Sequence, residues 1–372
     1  MNRQNTTLLP ITPALIDCFN TVITPEENDF LLRMGTEPFT RDELAEISGM
    51  PPEGFSMFFD NLLRKGLVWP HNTEKQDLKY ELAPILLGWF EVYLSDGSEA
   101  PEKKEFVRHL DRMMTFFGKF NIFPIRPLWN FYQKSRSHPH SQIASALKTE
   151  KTIEVPVGIT LQASLPKIYP ARNIHDLLAE YGSKQEIALI HCFCRQWRKI
   201  TDDPCRLDLP AESCIVVGPF AKHIDRLGIG RLVTLSEARD VIQSAQEKGD
   251  IHQVFHEKQD IRRREIGICN CCWDCCGVLG SYNRGLIPLY FRSFFLARIR
   301  DASICAGCGL CSRFCPVGAI ELKDKKAAID VLKCIGCGLC VLKCPNRAVD
   351  LQEQERDVKL PLLPKSKARL RI

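Results

Sequence analysis

The chain has 372 residues, of which 45% are hydrophobic and 26% are charged, so it is far too apolar for a disordered protein and long enough for two or three domains. Its net charge, 50 − 45 = +5, is too small to indicate nucleic acid or a membrane surface as the partner. Eighteen cysteines are present, and seventeen of them lie between Cys192 and Cys344, which indicates metal sites.

The first residues do not have the pattern of an export signal. Arg3 is their only basic residue, and Pro10 and Pro13 interrupt the apolar stretch from Leu8 to Ile16. No window reaches about eighteen uninterrupted apolar residues, so no transmembrane segment is predicted. We therefore expect a cytoplasmic protein, because in a reducing compartment a dense set of thiols persists as metal ligands and not as disulfides.

Residues 1–100 are predicted to form a winged-helix domain. Thr24 precedes a helical segment with proline at its first position and acids in its first turn. Thr40 begins the next helix, with Glu43 three residues later as a capping box. An apolar, aromatic third helix follows Pro52, and the segment after Lys79 is predicted to be a strand that returns from the wing.

The charge of this domain argues against its usual role in DNA binding. Between Thr24 and Leu94 there are 6 basic and 13 acidic residues, 6 − 13 = −7. Neutralisation of phosphates dominates non-specific affinity for DNA, so no specific DNA binding is expected. A protein-docking role is the prediction, and a redox-sensing transcriptional regulator is the alternative.

Residues 101–150 are predicted to form a helical, aromatic-rich connector. We expect it to pack against the next domain, and a membrane-surface or partner helix is the alternative. Its aromatic residues are Phe116, Phe117, Phe120, Phe123, Trp129, Phe131 and Tyr132.

Residues 151–285 alternate short apolar runs with helical segments, which predicts a cysteine-rich α/β domain. The domain contains neither a dinucleotide-binding glycine motif nor a Walker loop. Its nine cysteines predict one or two additional iron–sulfur centres, and a single centre with structural cysteines is the alternative. These cysteines form two groups in the sequence: Cys192, Cys194, Cys205 and Cys214, then Cys269, Cys271, Cys272, Cys275 and Cys276.

Local spacing suggests how these thiols are arranged. Cys192 and Cys194 follow a short apolar strand, and in extended chain residues i and i+2 face the same side, so both can bind one metal centre. The adjacent cysteines in 271/272 and in 275/276 are expected to point apart. One compact cluster therefore cannot easily use all nine.

Residues 286–352 are predicted to form a ferredoxin domain of the bacterial type with two [4Fe-4S] clusters. Two segments separated by 29 residues share ten of eighteen aligned positions, and each contains C-x2-C-x2-C-x3-C-P. In this spacing the fourth cysteine binds the other cluster. The first cluster is thus predicted at Cys305, Cys308, Cys311 and Cys344, and the second at Cys334, Cys337, Cys340 and Cys315. Zinc binding is the less specific alternative.

These motifs together resemble a group of large ferredoxin-like 4Fe-4S proteins of anaerobic bacteria and archaea. The resemblance rests on HCFCR, the later ESC, GRLVTLSEA and ICNCCWDCC, followed by the two-cluster module, and it extends from the N-terminal helical domain to about Leu351. It implies electron transfer beside redox enzymes and supplies no substrate. In many proteins of this group a cysteine precedes the last pair, whereas Asp274 stands there in this chain.

The sequence as a whole predicts an α+β multidomain protein that transfers single electrons, as a subunit or dedicated carrier of an anaerobic oxidoreductase. Its expected partners are redox proteins. Residues 353–372 are predicted to form a basic tail, which either is solvated or offsets cluster charge. No acid, base or nucleophile set is evident, so stand-alone catalysis is not assigned. The alternative is a reductase with a special cluster at the paired cysteines.

Overall fold

The computed structural model describes residues 11–71, 78–119, 141–145, 173–257 and 263–370, together with residues 1, 127, 139 and 261. Residues 120–126 and 128–138 of the predicted connector, with most of its aromatic side chains, lie outside the described residues. The described part combines helices and strands, in agreement with the predicted mixed class. None of its helices has both the length and the apolar character needed to cross a membrane.

The N-terminal region is helical around a small sheet. Its elements are α1 (Pro13–Val22), α2 (Pro25–Met34), β1 (Phe39–Thr40), α3 (Arg41–Ser48), α4 (Pro52–Arg64), β2 (Val68–Pro70), β3 (Lys79–Leu82), a π-helical turn (Ile85–Trp89), α5 (Phe90–Leu94) and α6 (Pro101–Gly118). The three strands pair antiparallel in the order β1-β3-β2.

Helix capping fixes where α2 and α3 begin. The Thr24 side chain accepts from the Glu27 amide at 3.2 Å, and the Glu27 carboxylate accepts from the Thr24 amide at 2.9 Å. Thr40 and Glu43 make the same reciprocal pair, as the sequence predicts. Each pair satisfies two amides that the first turn of a helix leaves without partners.

The middle region alternates helices and strands. Its elements are β4 (Ser141–Ala144), α7 (Ile174–Ser183), β5 (Ile187–His191), α8 (Phe193–Ile200), β6 (Glu212–Val217), α9 (Pro219–Arg226), β7 (Gly230–Leu232), α10 (Leu235–Lys248), β8 (Ile251–His256), β9 (Glu265–Cys271) and α11 (Leu279–Asn283). Helices α7 and α10 cover an apolar face built on Leu189 and Val254, whereas α9 packs with Ala188 and Val216.

The C-terminal region contains the repeated motif. Its elements are β10 (Leu289–Ile299), α12 (Leu310–Arg313), β11 (Ile320–Lys323), β12 (Lys326–Ile329), α13 (Leu339–Leu342), β13 (Val349–Leu360) and a short 3-10 turn (Lys365–Lys367). Strands β11 and β12 form a hairpin between the two halves of the repeat.

One eight-stranded sheet joins the middle and C-terminal regions. Its order is β13-β10-β4-β8-β9-β6-β5-β7, and all neighbours are antiparallel except β10 and β4. Strands β10 and β13, which flank the repeat, therefore continue the sheet that carries the cysteines of β6 and β9. Strand β13 also runs through residue 352, so the predicted basic tail begins within the sheet.

Candidate metal centres

Glycines allow the chain to curl tightly at both halves of the C-terminal repeat. Gly307 and Gly336 have φ of +66° and +68°. A Cβ atom would lie 2.2 Å from the Lys325 carbonyl oxygen at Gly307 and 2.0 Å from that of Phe295 at Gly336. Both positions therefore require glycine, and the adjacent cysteines project from closely wound loops.

The first quartet of thiols contains one member from the second motif. Burial raises the pKa of the Cys311 thiol, and the nearby thiols of Cys344, Cys305 and Cys308 raise it further. The same four cysteines line one cavity. Cys308 is exposed and Cys305 is partly so, which places this quartet near the surface.

The second quartet shows the reciprocal exchange. Burial raises the pKa of the Cys340 thiol to about 12, with further contributions from Cys334 and Cys315. Burial also raises the pKa of the Cys337 thiol, and the nearby thiols of Cys340, Cys315 and Cys334 raise it further. Three of the four are buried, so this quartet lies deeper than the first. The structure thus brings together the two sets of ligands that the spacing predicts.

Backbone amides donate to cysteine sulfurs of both quartets. The Ala348 amide lies 3.2 Å from the Cys344 sulfur, and the Ala319 amide lies 3.1 Å from that of Cys315. Hydrogen bonds to cluster sulfurs stabilise their negative charge and are one determinant of the reduction potential. The Cys334 sulfur has a longer contact of 3.5 Å with the amide of Ala297 in β10.

Six cysteines of the middle region form a closed ring of neighbouring thiols. In each of them the two largest influences on the pKa are the thiols on either side. The neighbours lower the pKa of Cys192, Cys276 and Cys269 and raise those of the three thiols between them. In order around this six-thiol ring the members are Cys192, Cys194, Cys276, Cys271, Cys269 and Cys214.

Sheet pairing assembles this ring from distant parts of the chain. Cys214 is on β6, which pairs with β5 on one side and with β9 on the other. Cys269 and Cys271 are two residues apart on β9, so both face the same side. Cys276 follows in the loop before α11, where its sulfur accepts from the amides of Val278 and Leu279 at 3.3 and 3.4 Å.

The expectation of extended chain is wrong at Cys194, whereas the backbone of Cys192 is extended. Cys192 is the N-cap of α8 and Cys194 lies in its first turn. The two thiols are nevertheless neighbours, because the chain turns from β5 directly into this helix. The Cys194 sulfur accepts from the Gly277 amide at 3.0 Å, which ties the start of α8 to the second cysteine segment.

The other three cysteines form a separate, tighter set, the three-thiol group of Cys205, Cys272 and Cys275. Their sulfurs all lie within 4.8 Å of one another. The Cys272 sulfur is 3.6 Å from that of Cys205 and 2.9 Å from that of Cys275. Leu209 and Leu207 pack against them. Cys271 and Cys272 belong to different sets, as do Cys275 and Cys276, which agrees with side chains that point apart.

A buried ion pair interacts with both sets of thiols. Arg195 of α8 lies 2.6 Å from Asp250, and the two side chains are 5% and 0% exposed. The guanidinium also donates to the carbonyl oxygens of Pro210 and Asn270 at 2.9 and 3.2 Å. Its positive charge lowers the pKa of Cys192 in the ring and that of Cys205 in the three-thiol group, after the larger effects of adjacent thiols.

Asp274 has a positioning role in the loop between Cys272 and Cys275. Its side chain is 3% exposed, and its carboxylate oxygens accept from the Arg206 amide at 3.0 Å and from the Arg284 guanidinium at 3.2 Å. Arg284 also donates to the Asp274 carbonyl at 2.5 Å. Asp274 is outside the three-thiol group, and its contacts hold the loop in place.

Asn283 and Arg369 link this loop to the C-terminal module. The Asn283 amide nitrogen donates to the carbonyls of Trp273 at 2.9 Å and Pro316 at 3.1 Å. Arg369 donates to the Cys315 carbonyl at 2.6 Å, and its guanidinium lies 5.7 Å from the centre of the Trp273 ring. The basic tail thus includes a side chain that contacts a predicted cluster loop.

Comparison with known families supports the nature of the C-terminal module. Residues 297–345 match the model of the 4Fe-4S dicluster domain. No significant match was found among curated proteins or among solved structures. The matched segment contains the repeated motif, so the chain has an iron–sulfur module of the electron-transfer type.

The donor set fits two cubanes. Each quartet supplies four thiolates, and the raised pKa of the buried thiols shows that free thiolates are costly there. Iron removes that cost because the cation stabilises the deprotonated sulfur.

Proposed function

We propose that this protein transfers single electrons through two [4Fe-4S] clusters in its C-terminal module and through at least one further iron–sulfur centre in the middle region. The main support for the proposal is that each quartet contains the fourth cysteine of the other motif. Cys344 lies with the first three cysteines of the repeat, and Cys315 lies with the second three. Such an exchange places two clusters side by side, which is what stepwise electron transfer requires.

Burial supports an order for the transfer. The first quartet includes the exposed Cys308 and has the exposed Ile304 and Leu322 nearby, so a redox partner can approach it. Three cysteines of the second quartet are buried, and Asn283 of the middle region donates to the carbonyl of Pro316, the residue after Cys315. Electrons therefore enter or leave at the first cluster, and the second cluster connects it to the cysteines of the middle region.

The six-thiol ring is the candidate for the further centre. A cubane needs four thiolate ligands, and the ring supplies six, of which four are buried and two are partly buried. Cys271 and Cys276 belong to the same apolar cluster as Cys315 and Cys340 of the C-terminal module. This continuity supports electron transfer between the module and the ring.

We interpret the N-terminal region as a winged-helix domain that docks a protein partner. Helices α2, α3 and α4 with the β1-β3-β2 sheet support this interpretation. The exposed positions of α4 include Glu53, Met57 and Asn61, with Arg64 at its end. This surface and the net charge of −7 favour a redox protein over specific DNA binding. We place the protein in the cytoplasm, where its eighteen free thiols would persist.

Iron content and paramagnetic resonance of the reduced protein test the proposal. Protein purified anaerobically should contain about eight irons in the C-terminal module and about four more if the ring holds one cubane. Replacing Cys192 and Cys194 together by Ser should remove only the additional centre. Iron limited to about eight per chain and unchanged by this double substitution would exclude the third centre, and a chain without iron would exclude the whole proposal.

A reductase is the second candidate function, because of one observation. A cavity of about 380 Å³ opens beside Cys275 and Cys276 and is lined by Arg198, Arg206 and Arg284 among others. This volume is within the range of small-molecule sites. Consumption of a reduced electron donor that depends on an added small molecule would favour a reductase over a carrier.

A further inference from the structure

The spacing of the three-thiol group differs from that of the cubane quartets in the same chain. A tetrahedral metal with metal–sulfur bonds of about 2.3 Å sets its sulfurs about 3.8 Å apart. A cubane sets its terminal sulfurs much farther apart, because each thiolate binds a different iron. The 3.6 Å contact between Cys272 and Cys205 is close to the spacing around one metal ion, and the 2.9 Å contact between Cys272 and Cys275 is shorter still. Both are far below the spacing in a cubane.

The C-terminal module provides an internal standard for this comparison. Among the described residues, the three-thiol group is the only set of three Cys, His, Asp or Glu ligand atoms that lie within 4.8 Å of one another. Each quartet of the matched 4Fe-4S domain has four thiols, but no three of them lie within 4.8 Å of one another. The three-thiol group is a different kind of site.

We propose that Cys205, Cys272 and Cys275 bind a single Zn²⁺ ion whose fourth position takes a thiolate from outside the chain. Soft thiolate ligands favour zinc, Cu(I) and iron–sulfur clusters, and the short sulfur–sulfur contacts of this group argue against a cluster. Zinc sites with three protein ligands and one open position are those that act on a bound molecule, whereas closed four-ligand sites are structural. Within the described residues no fourth such ligand atom completes this set.

The cavity and the arginines around the three-thiol group favour an external thiol as the fourth ligand. Cys275 lines the cavity of about 380 Å³, so an external molecule can reach the metal. Three thiolates and Zn²⁺ carry a charge of −1, and a fourth thiolate makes it −2. The cavity is lined by Arg206 and Arg284, and the positive charge of Arg195 acts on Cys205, so arginines can offset this charge. On binding, the external thiol would release its proton to solvent and form a zinc–sulfur bond, with no change of oxidation state.

Metal analysis of two matched variants tests where zinc is bound. In full-length protein prepared anaerobically in thiol-free buffer, we expect about one zinc per chain besides the iron. Cys205→Ser should remove the zinc and leave the iron unchanged. Cys214→Ser, the same chemical change in the six-thiol ring, should lower the iron and leave the zinc. Failure of the ring proposal would alter only the second variant, so the two proposals fail separately.

X-ray absorption at the zinc edge of the intact protein tests the open position. We expect three sulfur neighbours and one lighter atom before addition of 2-mercaptoethanol, and four sulfur neighbours afterwards. Four sulfurs before addition, or no response to the thiol, would overturn the open position. Two other results would overturn the metal assignment: loss of iron in Cys205→Ser with no zinc in the parent, or a metal-free Cys272–Cys275 pair that forms a disulfide on oxidation.

Discussion

The exchange of the fourth ligand between the two C-terminal quartets can be tested by pairing substitutions. Each cluster holds about four irons, so the module contributes 2 × 4, about eight. Cys315→Ala combined with Cys334→Ala removes two ligands of the same quartet, and we expect a loss of about four irons. Cys315→Ala combined with Cys311→Ala removes one ligand from each quartet, and we expect a loss of about eight.

The two pairs are matched, because each contains Cys315 and one other buried cysteine of the module. Iron and acid-labile sulfide per chain, with the resonance spectrum of the dithionite-reduced protein, give the measurement. If each motif bound its own cluster, the result would be reversed: the pair with Cys311 would lose about four irons and the pair with Cys334 about eight. Loss of all iron in both pairs would refute the independence of the quartets.

Three further predictions concern single positions. Gly336→Ala should lose about four irons, because the added Cβ would lie 2.0 Å from a carbonyl oxygen. Gly309→Ala is the control and should keep them, because Gly309 has a similar φ of +75° but the nearest atom to its added Cβ is 3.5 Å away. Burial, with Arg226 nearby, lowers the pKa of His223 to about 4, so the unfolded state binds more protons than the folded state below about pH 6.5. The free energy of unfolding from urea titrations should therefore fall by about 2 kcal/mol between about pH 7 and pH 5. His223→Gln should reduce this fall. Arg369→Ala should shift the reduction potential of the second cluster in a redox titration, whereas Lys367→Ala, which removes the same charge from the 3-10 turn, should leave it unchanged.

The features that could be predicted from sequence are those fixed by neighbouring residues. The capping pairs at Thr24 and Thr40 need only residues three positions apart. The C-terminal quartets follow from a spacing that recurs after 29 residues, and the glycine conformations at Gly307 and Gly336 follow from the same repeat. In each case the chemistry depends on a short segment, so local pattern is sufficient.

The division of the nine middle cysteines could not be predicted, because it depends on strand pairing across long distances. In the sequence they form groups of four and five, whereas the structure divides them into six and three. Cys205 joins Cys272 across 67 residues. One feature of the sequence did indicate part of this division. In a strand Cys269 and Cys271 face the same side and Cys272 faces the other, which separates the first two from the third. The sequence did not indicate that Arg195 pairs with Asp250, because the two residues are 55 positions apart.

Asn283 connects the middle and C-terminal regions by hydrogen bonds. Its side-chain amide donates both to the loop of the three-thiol group, at Trp273, and to Pro316, the residue after Cys315. Its carbonyl oxygen accepts from the Arg369 amide at 2.8 Å. If the second quartet holds the proposed cluster, a change of its charge would act on a backbone that is also bonded to the middle region. Strands β10 and β13 extend the sheet that carries Cys214, Cys269 and Cys271, so hydrogen bonds of one sheet also connect the two sets of cysteines.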